Sequence, residues 1–188
     1  KTRTWVSDSS EPIRYLEEKH KKGSLNVGQP YRLSDISAER DQLDLYLKTK
    51  GYYYFNPDYL MAYADSTIGN RQVELLLNLK KTTPEQAKHP YRINKIIVFP
   101  NYSLVSAQLD TSLAGAVKYD GLIIKDSAKK FTTRLFAQTI TYRPGDLYNS
   151  NSQNSTLNSF INLGAFQFVK NRFDALKVTV NLTRMNLL

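Results

Sequence analysis

The chain has no cysteine among its 188 residues, so disulfides and thiolate metal sites are excluded. Histidine is almost as scarce: His20 and His89 are the two examples. His20 stands in a lysine-rich helix end and His89 in a connecting segment, and neither belongs to a motif with metal-ligand spacing. No glycine-rich phosphate loop is present, and paired carboxylates thin out in the second half. No nucleophile can be matched with a base. The expectation is therefore a protein that is not an enzyme, with no catalytic residues, no metal and no cofactor. No stretch approaches the roughly 20 apolar residues of a spanning helix, and no signal peptide is seen. The chain opens on Lys1 rather than Met, which suggests a piece of a longer protein.

Charge is present in excess and unevenly. Lys and Arg number 26 against 17 Asp and Glu, a formal net charge of +9. Residues 1–88 carry +2 of it and residues 89–188 carry +7. A basic half can meet nucleic acid, acidic headgroups or an acidic protein, or it can be a solvated face.

Two stretches repeat one pattern. Gly145-Asp146-Leu147-Tyr148 precedes a helical segment, Asn149–Leu163, with Leu157, Phe160 and Ile161 as its stripe and Ser150, Asn151 or Ser152 as caps. Gly164 stops it, followed by Ala165-Phe166-Gln167-Phe168. Leu176–Leu182 then alternates apolar and polar residues as a strand does. Earlier, Gly28-Gln29-Pro30-Tyr31 precedes a helix with Leu43, Tyr46 and Leu47 on one side and Asp35 or Ser37 as cap. Gly51 stops that helix, followed by Tyr52-Tyr53-Tyr54-Phe55, and Val73, Leu75, Leu77 and Leu79 alternate. The two stop glycines lie 113 residues apart. Two copies of one module account for this order; two unrelated helix-hairpin pairs are the alternative.

Gly-x-x-Tyr, an apolar helix, Gly-aromatic-x-aromatic and a terminal hairpin, given twice, resemble the end of a POTRA (polypeptide-transport-associated) domain. Leu45–Phe55 and Tyr119–Ile124 resemble the version in barrel-assembly-factor-like surface antigens of Bacteroidetes. The resemblance covers residues 28–188 in pieces. It implies an α+β fold of two tandem β-α-α-β-β modules, each a small mixed sheet covered by two helices. Module one would span 1–88 and module two 89–188, with an insertion at about 101–130. It also implies a periplasmic arm of an outer-membrane assembly or translocation factor, anchored by a C-terminal barrel. Its partners would be unfolded outer-membrane proteins and accessory assembly proteins. Barrel insertion, autotransporter assembly and two-partner secretion are not separable on these residues.

The remaining elements follow locally. Glu11–Lys22 reads as a first helix and Tyr91–Phe99 as a strong strand. Tyr102–Val105 with Leu122–Ile124 suggests an extra hairpin around Leu113-Ala114-Gly115. Lys129–Thr139 reads as the first helix of module two.

A client would bind by strand addition at a free sheet edge. The edges expected are Phe166, Gln167, Phe168, Val169 and Lys170 in module two and Tyr52, Tyr53, Tyr54 and Phe55 in module one, with Pro57 marking an edge strand. Val73–Leu79 and Val178–Leu182 are expected to be central. Gly28, Tyr31, Gly51, Gly145, Tyr148 and Gly164 are the expected structural turns. The rival function is a nucleic-acid-binding module using a basic, aromatic-bearing sheet. The element order argues against it, since an RNA-recognition fold alternates βαββαβ. Nucleic acid is therefore not an expected partner, and a salt titration against oligonucleotides separates the two readings.

Overall fold

A computed structural model describes residues 3–5, 11–20, 25–101, 112–166, 168–176 and 184–187. The chain divides into two compact units, Lys1–Pro90 and Tyr91–Leu188.

The first unit runs β1 (Arg3–Trp5), α1 (Glu11–His20), α2 (Leu33–Thr49), β2 (Leu60–Asp65) and β3 (Glu74–Leu79). Its sheet has the order β1-β3-β2, with β1 parallel to β3 and β2 antiparallel to it from Leu60↔Leu79 to Asp65↔Glu74. The segment expected to be central, Val73–Leu79, supplies that central strand. Leu43 and Leu47 lie one turn apart on α2 and are fully buried against Leu16, Leu60 and Leu77. Each such leucine contributes about 1.5–3 kcal/mol by leaving water.

The start of α2 differs from expectation. Arg32 occupies the cap position without a side-chain cap bond, and Asp35 and Ser37 lie inside the helix. Asp35 still serves there, since a carboxylate in the first turn opposes the helix dipole. At the other end Lys50 N donates to Leu47 O (2.8 Å), as does Tyr52 N (3.2 Å). Gly51 between them has φ 99°, so the stop needs a left-handed residue.

The aromatic run after Gly51 is not a strand. Tyr53 N donates to Gly51 O and Phe55 N to Tyr52 O, which curls the chain into turns. Tyr52 and Phe55 are buried in the core, while Tyr53 and Tyr54 meet edge to face at 4.9 Å. The hydrophobic gain from seating two large rings outweighs their strand propensity. Tyr52–Phe55 is thus no free edge; the strand begins at Leu60, beyond a 3₁₀ turn at Pro57–Tyr59.

The second unit runs β4 (Arg92–Val98), β5 (Val117–Tyr119), β6 (Leu122–Ile124), α3 (Thr133–Thr139), α4 (Ser150–Asn162), β7 (Phe173–Leu176) and β8 (Arg184–Leu187). Its sheet order is β5-β6-β4-β8-β7. β4 is parallel to both neighbours, and its Ile93, Ile96 and Ile97 are buried, as the near-continuous apolar run implies. Each unit therefore presents strand, helix, helix, strand, strand, an α+β arrangement, with β5 and β6 interposed in the second. Tyr102–Val105 lies outside the described residues. The hairpin that forms joins β5 to β6 through Asp120 (φ 49°) and Gly121 (φ 78°), not around Leu113–Gly115. Two consecutive left-handed residues are what a tight hairpin turn demands.

The helices also begin and bury differently from the periodicity. Asn149, not Ser150–Ser152, caps α4 by accepting from Asn151 N (2.9 Å). Phe160 is buried, but Ile161 is exposed and Thr156 takes an inward place. Thr156 Oγ1 accepts from Thr141 N at 3.0 Å, which satisfies a donor in the α3–α4 connection. Gly164 follows with φ 63°. Of the alternating run Leu176–Leu182, only Leu176 lies within the described residues.

Candidate functional site

The terminal strands of the two sheets are the places where backbone donors and acceptors lack a neighbouring strand among the described residues: β1 and β2 in the first unit, β5 and β7 in the second. In the first unit β2 is positioned by α2. Arg40 Nε and Nη2 donate to Pro57 O at 3.0 and 2.7 Å, and Nη2 reaches Asp58 at 3.1 Å. Asn56 Oδ1 accepts from Asp58 N at 2.8 Å and closes the same turn. The strand then emerges with Leu60 buried and everything from Tyr63 onward exposed. It ends at Asp65, whose carboxylate accepts from the Thr67 hydroxyl and backbone N; these bonds hold its pKa below the usual value. The outward end of β2 is thus a fixed, solvent-facing edge carrying Tyr63.

In the second unit, Phe166 is half-buried among Phe131 (4.9 Å), Phe160 (5.6 Å) and Phe136 (6.5 Å). Gln167 lies outside the described residues. Phe168 is 52% exposed, Val169 half-buried and Lys170 exposed, and residues 168–172 pair in no ladder. Asn171 Nδ2 donates to Tyr142 Oη at 3.3 Å. The expected edge at Phe166–Lys170 is therefore corrected: the strand starts seven residues later, at Phe173. Phe166 instead packs its ring into an aromatic cluster from a segment that pairs in no ladder. Phe173 is buried against Tyr148 (5.3 Å) and Tyr142 (6.4 Å). From there β7 pairs with β8, Phe173↔Leu187 to Leu176↔Arg184. Arg172 engages the Asp174 carboxylate through Nε and Nη2 at 2.9–3.2 Å, which places paired charges beside the edge. The interposed hairpin joins the opposite side of the sheet, next to β4, and does not cover β7.

The two Gly-x-x-Tyr turns do different work. In the second unit Gly145 N donates to Ile93 O (2.6 Å), Ile93 N to Asp146 O (2.9 Å) and Tyr148 N to Tyr91 O (2.8 Å). Those bonds tie the turn to the start of β4. Tyr148 is buried and its hydroxyl donates to Gln153 Oε1 at 2.8 Å. Tyr31 of the first unit is exposed. Gly28 and Gly145 both have positive φ, 90° and 97°.

Three fixtures escaped the sequence. Arg143 donates to Ala137 O (2.6 Å), Ile140 O (2.6 Å) and Tyr142 O (3.0 Å), and also meets Asp120 at 2.9 Å. Arg40 is the second. The third is His20, whose Nδ1 lies 2.7 Å from Glu39 Oε1 with both residues buried. Each pairs residues on different elements, and no local spacing announces them.

No protein-family model matches the sequence, and no curated protein matches it. Solved structures do match the fold. POTRA3–5 of Haemophilus influenzae BamA aligns with a TM-score of 0.57 at 14% identity, over 98% of this chain and 58% of that one. BamA from Haemophilus ducreyi lacking POTRA domains 1–3 aligns with a TM-score of 0.64 at 11% identity, over 100% of this chain and 28% of that one. This chain thus spans a little over half of the first structure and about a quarter of the second. The likeness defines the fold as that of POTRA domains.

Proposed function

We propose that this chain is the periplasmic arm of an outer-membrane assembly or translocation factor of the Bacteroidetes surface-antigen type. Its two units act as tandem modules, divided functionally near residue 88. They receive unfolded outer-membrane proteins, with accessory assembly proteins as further partners, and pass clients to a barrel in the parent protein. The role is that of a scaffold and requires no catalysis or cofactor. The mechanism is strand addition: an extended client pairs its backbone with β7 (Phe173–Leu176) in the second unit and with β2 (Leu60–Asp65) in the first. Backbone pairing reads extension rather than sequence, which suits a receiver of many clients. Phe168, Val169 and Lys170 flank β7 and offer side-chain contacts beside that ladder.

The observation that carries this reading is a pair of terminal strands, each hydrogen-bonded on one side among the described residues, in a fold shared with BamA POTRA domains. The test is titration of the chain with a synthetic peptide of alternating valine and threonine, followed by amide shifts and amide exchange. Expected are shifts and slowed exchange at 173–176 and 60–65. Shifts confined to α3 and α4, or none, refute strand addition.

A further inference from the structure

The first unit contains a cavity of about 460 Å³ that strand addition does not use. Its size falls within the roughly 300–1,000 Å³ of small-molecule sites. One wall is apolar: Leu75 and Leu77 of β3, with Leu25 and Val27 from the segment before α2. His20, held by Glu39, supplies a buried polar contact on the lining. The segment flanking the cavity carries Val27, Tyr31 and Leu33 at 63%, 51% and 69% exposure, and the first two line the cavity.

Arg32 and Arg71 also line the cavity. Among the described residues neither guanidinium has a hydrogen bond or ion pair, as is also true of Arg14 and Arg134, whereas Arg40, Arg92, Arg143 and Arg172 are engaged. Asp35 is the acidic lining residue, so two cations face one carboxylate. Arg71 is delivered by a turn in which Gly69, Asn70 and Arg71 are successively left-handed, at φ 79°, 53° and 54°. A left-handed arginine is strained relative to an ordinary conformation, and such strain gathers at ligand clamps. An apolar wall in an open cleft beside two guanidiniums without a partner among the described residues suits a molecule with an apolar part and an anionic part. We infer that this cavity binds an amphiphile with a single apolar chain and an anionic head, the chain against Leu75 and Leu77 and the head between Arg32 and Arg71.

The cavity is lined by none of the residues of β2 or β7, although Leu75 and Leu77 pair with the inner side of β2, so loss of amphiphile binding leaves strand addition at the free edges standing, and the reverse holds. The probe is decanoate below its micelle concentration, titrated calorimetrically into the whole chain. Saturable one-to-one binding is expected, with decyl maltoside at least tenfold weaker and decyltrimethylammonium weaker still. Arg71→Glu and Val27→Glu should each weaken decanoate at least tenfold while Trp5 fluorescence reports an unchanged fold. Arg71→Lys should retain most of the affinity and covers the case in which the glutamate variant misfolds. Vesicles of phosphatidylglycerol separate a pocket from a sticky surface: binding to vesicles without binding to monomeric decanoate overturns the inference. So does equal affinity for the cationic amphiphile, or full affinity in a folded Arg71→Glu variant.

Discussion

Arg143 is the position where the second unit's architecture can be tested most sharply. Its guanidinium spans three things that no other described side chain joins: the last turn of α3, the connection to Gly145, and the β5–β6 turn through Asp120. Helix ends leave carbonyls without intrahelical donors, and Arg143 supplies two bonds at 2.6 Å to Ala137 O and Ile140 O. A bond from a charged donor contributes about 1.5–3 kcal/mol in protected surroundings. The Arg143 side chain is 35% exposed, so each bond is taken at the low end. Asp120 is more open still, and such a pair contributes about 0–1 kcal/mol. Arg143→Ala should then destabilise the second unit by about 3–4 kcal/mol. Asp120→Asn should cost under about 1 kcal/mol. Arg143→Lys should fall between, because one ammonium cannot reproduce the planar fork. The single tryptophan, Trp5, belongs to the first unit, so its fluorescence transition is an internal control that should not move. Urea unfolding read by amide signals of α3 and β6 gives the second unit's stability separately. The reasoning fails if Arg143→Ala lies within about 0.5 kcal/mol of the parent, the ordinary range of an unremarkable surface change, or if Asp120→Asn costs as much as Arg143→Ala.

Gly51→Val and Gly164→Val should each destabilise their own unit by more than about 1 kcal/mol, since a β-branched residue is strained at positive φ; thermal melts of the two variants check this. Burial opposes ionisation of Asp126, but bonds from Phe131 N, Asn101 Nδ2 and the backbone of Lys130 and Ala128 outweigh it, leaving its pKa below 3.8. A depressed carboxyl adds stability that is present above its unfolded-state pKa and is lost as pH falls through the folded value. Asp126→Asn should therefore flatten the acid limb of the second unit's stability below about pH 4, and the idea is sunk if acid titrations of variant and parent run parallel.

The sequence carried the element types well and the element edges poorly, for identifiable reasons. The glycine stops at Gly51 and Gly164 were legible because a left-handed turn nearly demands glycine. β3 and β4 were legible because their apolar patterns suit central, buried strands. Tyr52–Phe55 misled because four consecutive aromatics look like a strand, whereas the core needed two of them delivered from a turn. Phe166 misled in the same way: its ring belongs to a cluster with Phe131, Phe136 and Phe160, which periodicity along one segment cannot reveal. The β5–β6 turn was readable in principle from Asp120-Gly121, a strong two-residue hairpin signal, but the preceding Leu113–Gly115 offered a rival. The cavity between β3 and the segment before α2 left no trace in sequence, because Arg32, Arg71 and His20 converge from three separate stretches.

The strand order β5-β6-β4-β8-β7 has a kinetic meaning. β8, Arg184–Leu187, sits between β4 and β7 although it follows both in the chain. Until those residues arrive, the sheet is split, with β4 holding β6 on one side and β7 holding nothing. Closing it brings Arg92 against Arg184, a contact of very long sequence separation, and such closures slow folding because loop entropy is lost before the contact rewards it. During folding this unit therefore passes through a stage with a vacant slot of strand width between β4 and β7. Any strand of matching pattern can occupy that slot, including β8 of a second copy, and exchange of identical elements is a low-cost route to dimers. The second unit is thus most exposed to mispairing until β8 pairs with β4, and the first unit, whose central strand is complete by Leu79, closes its sheet earlier in the chain.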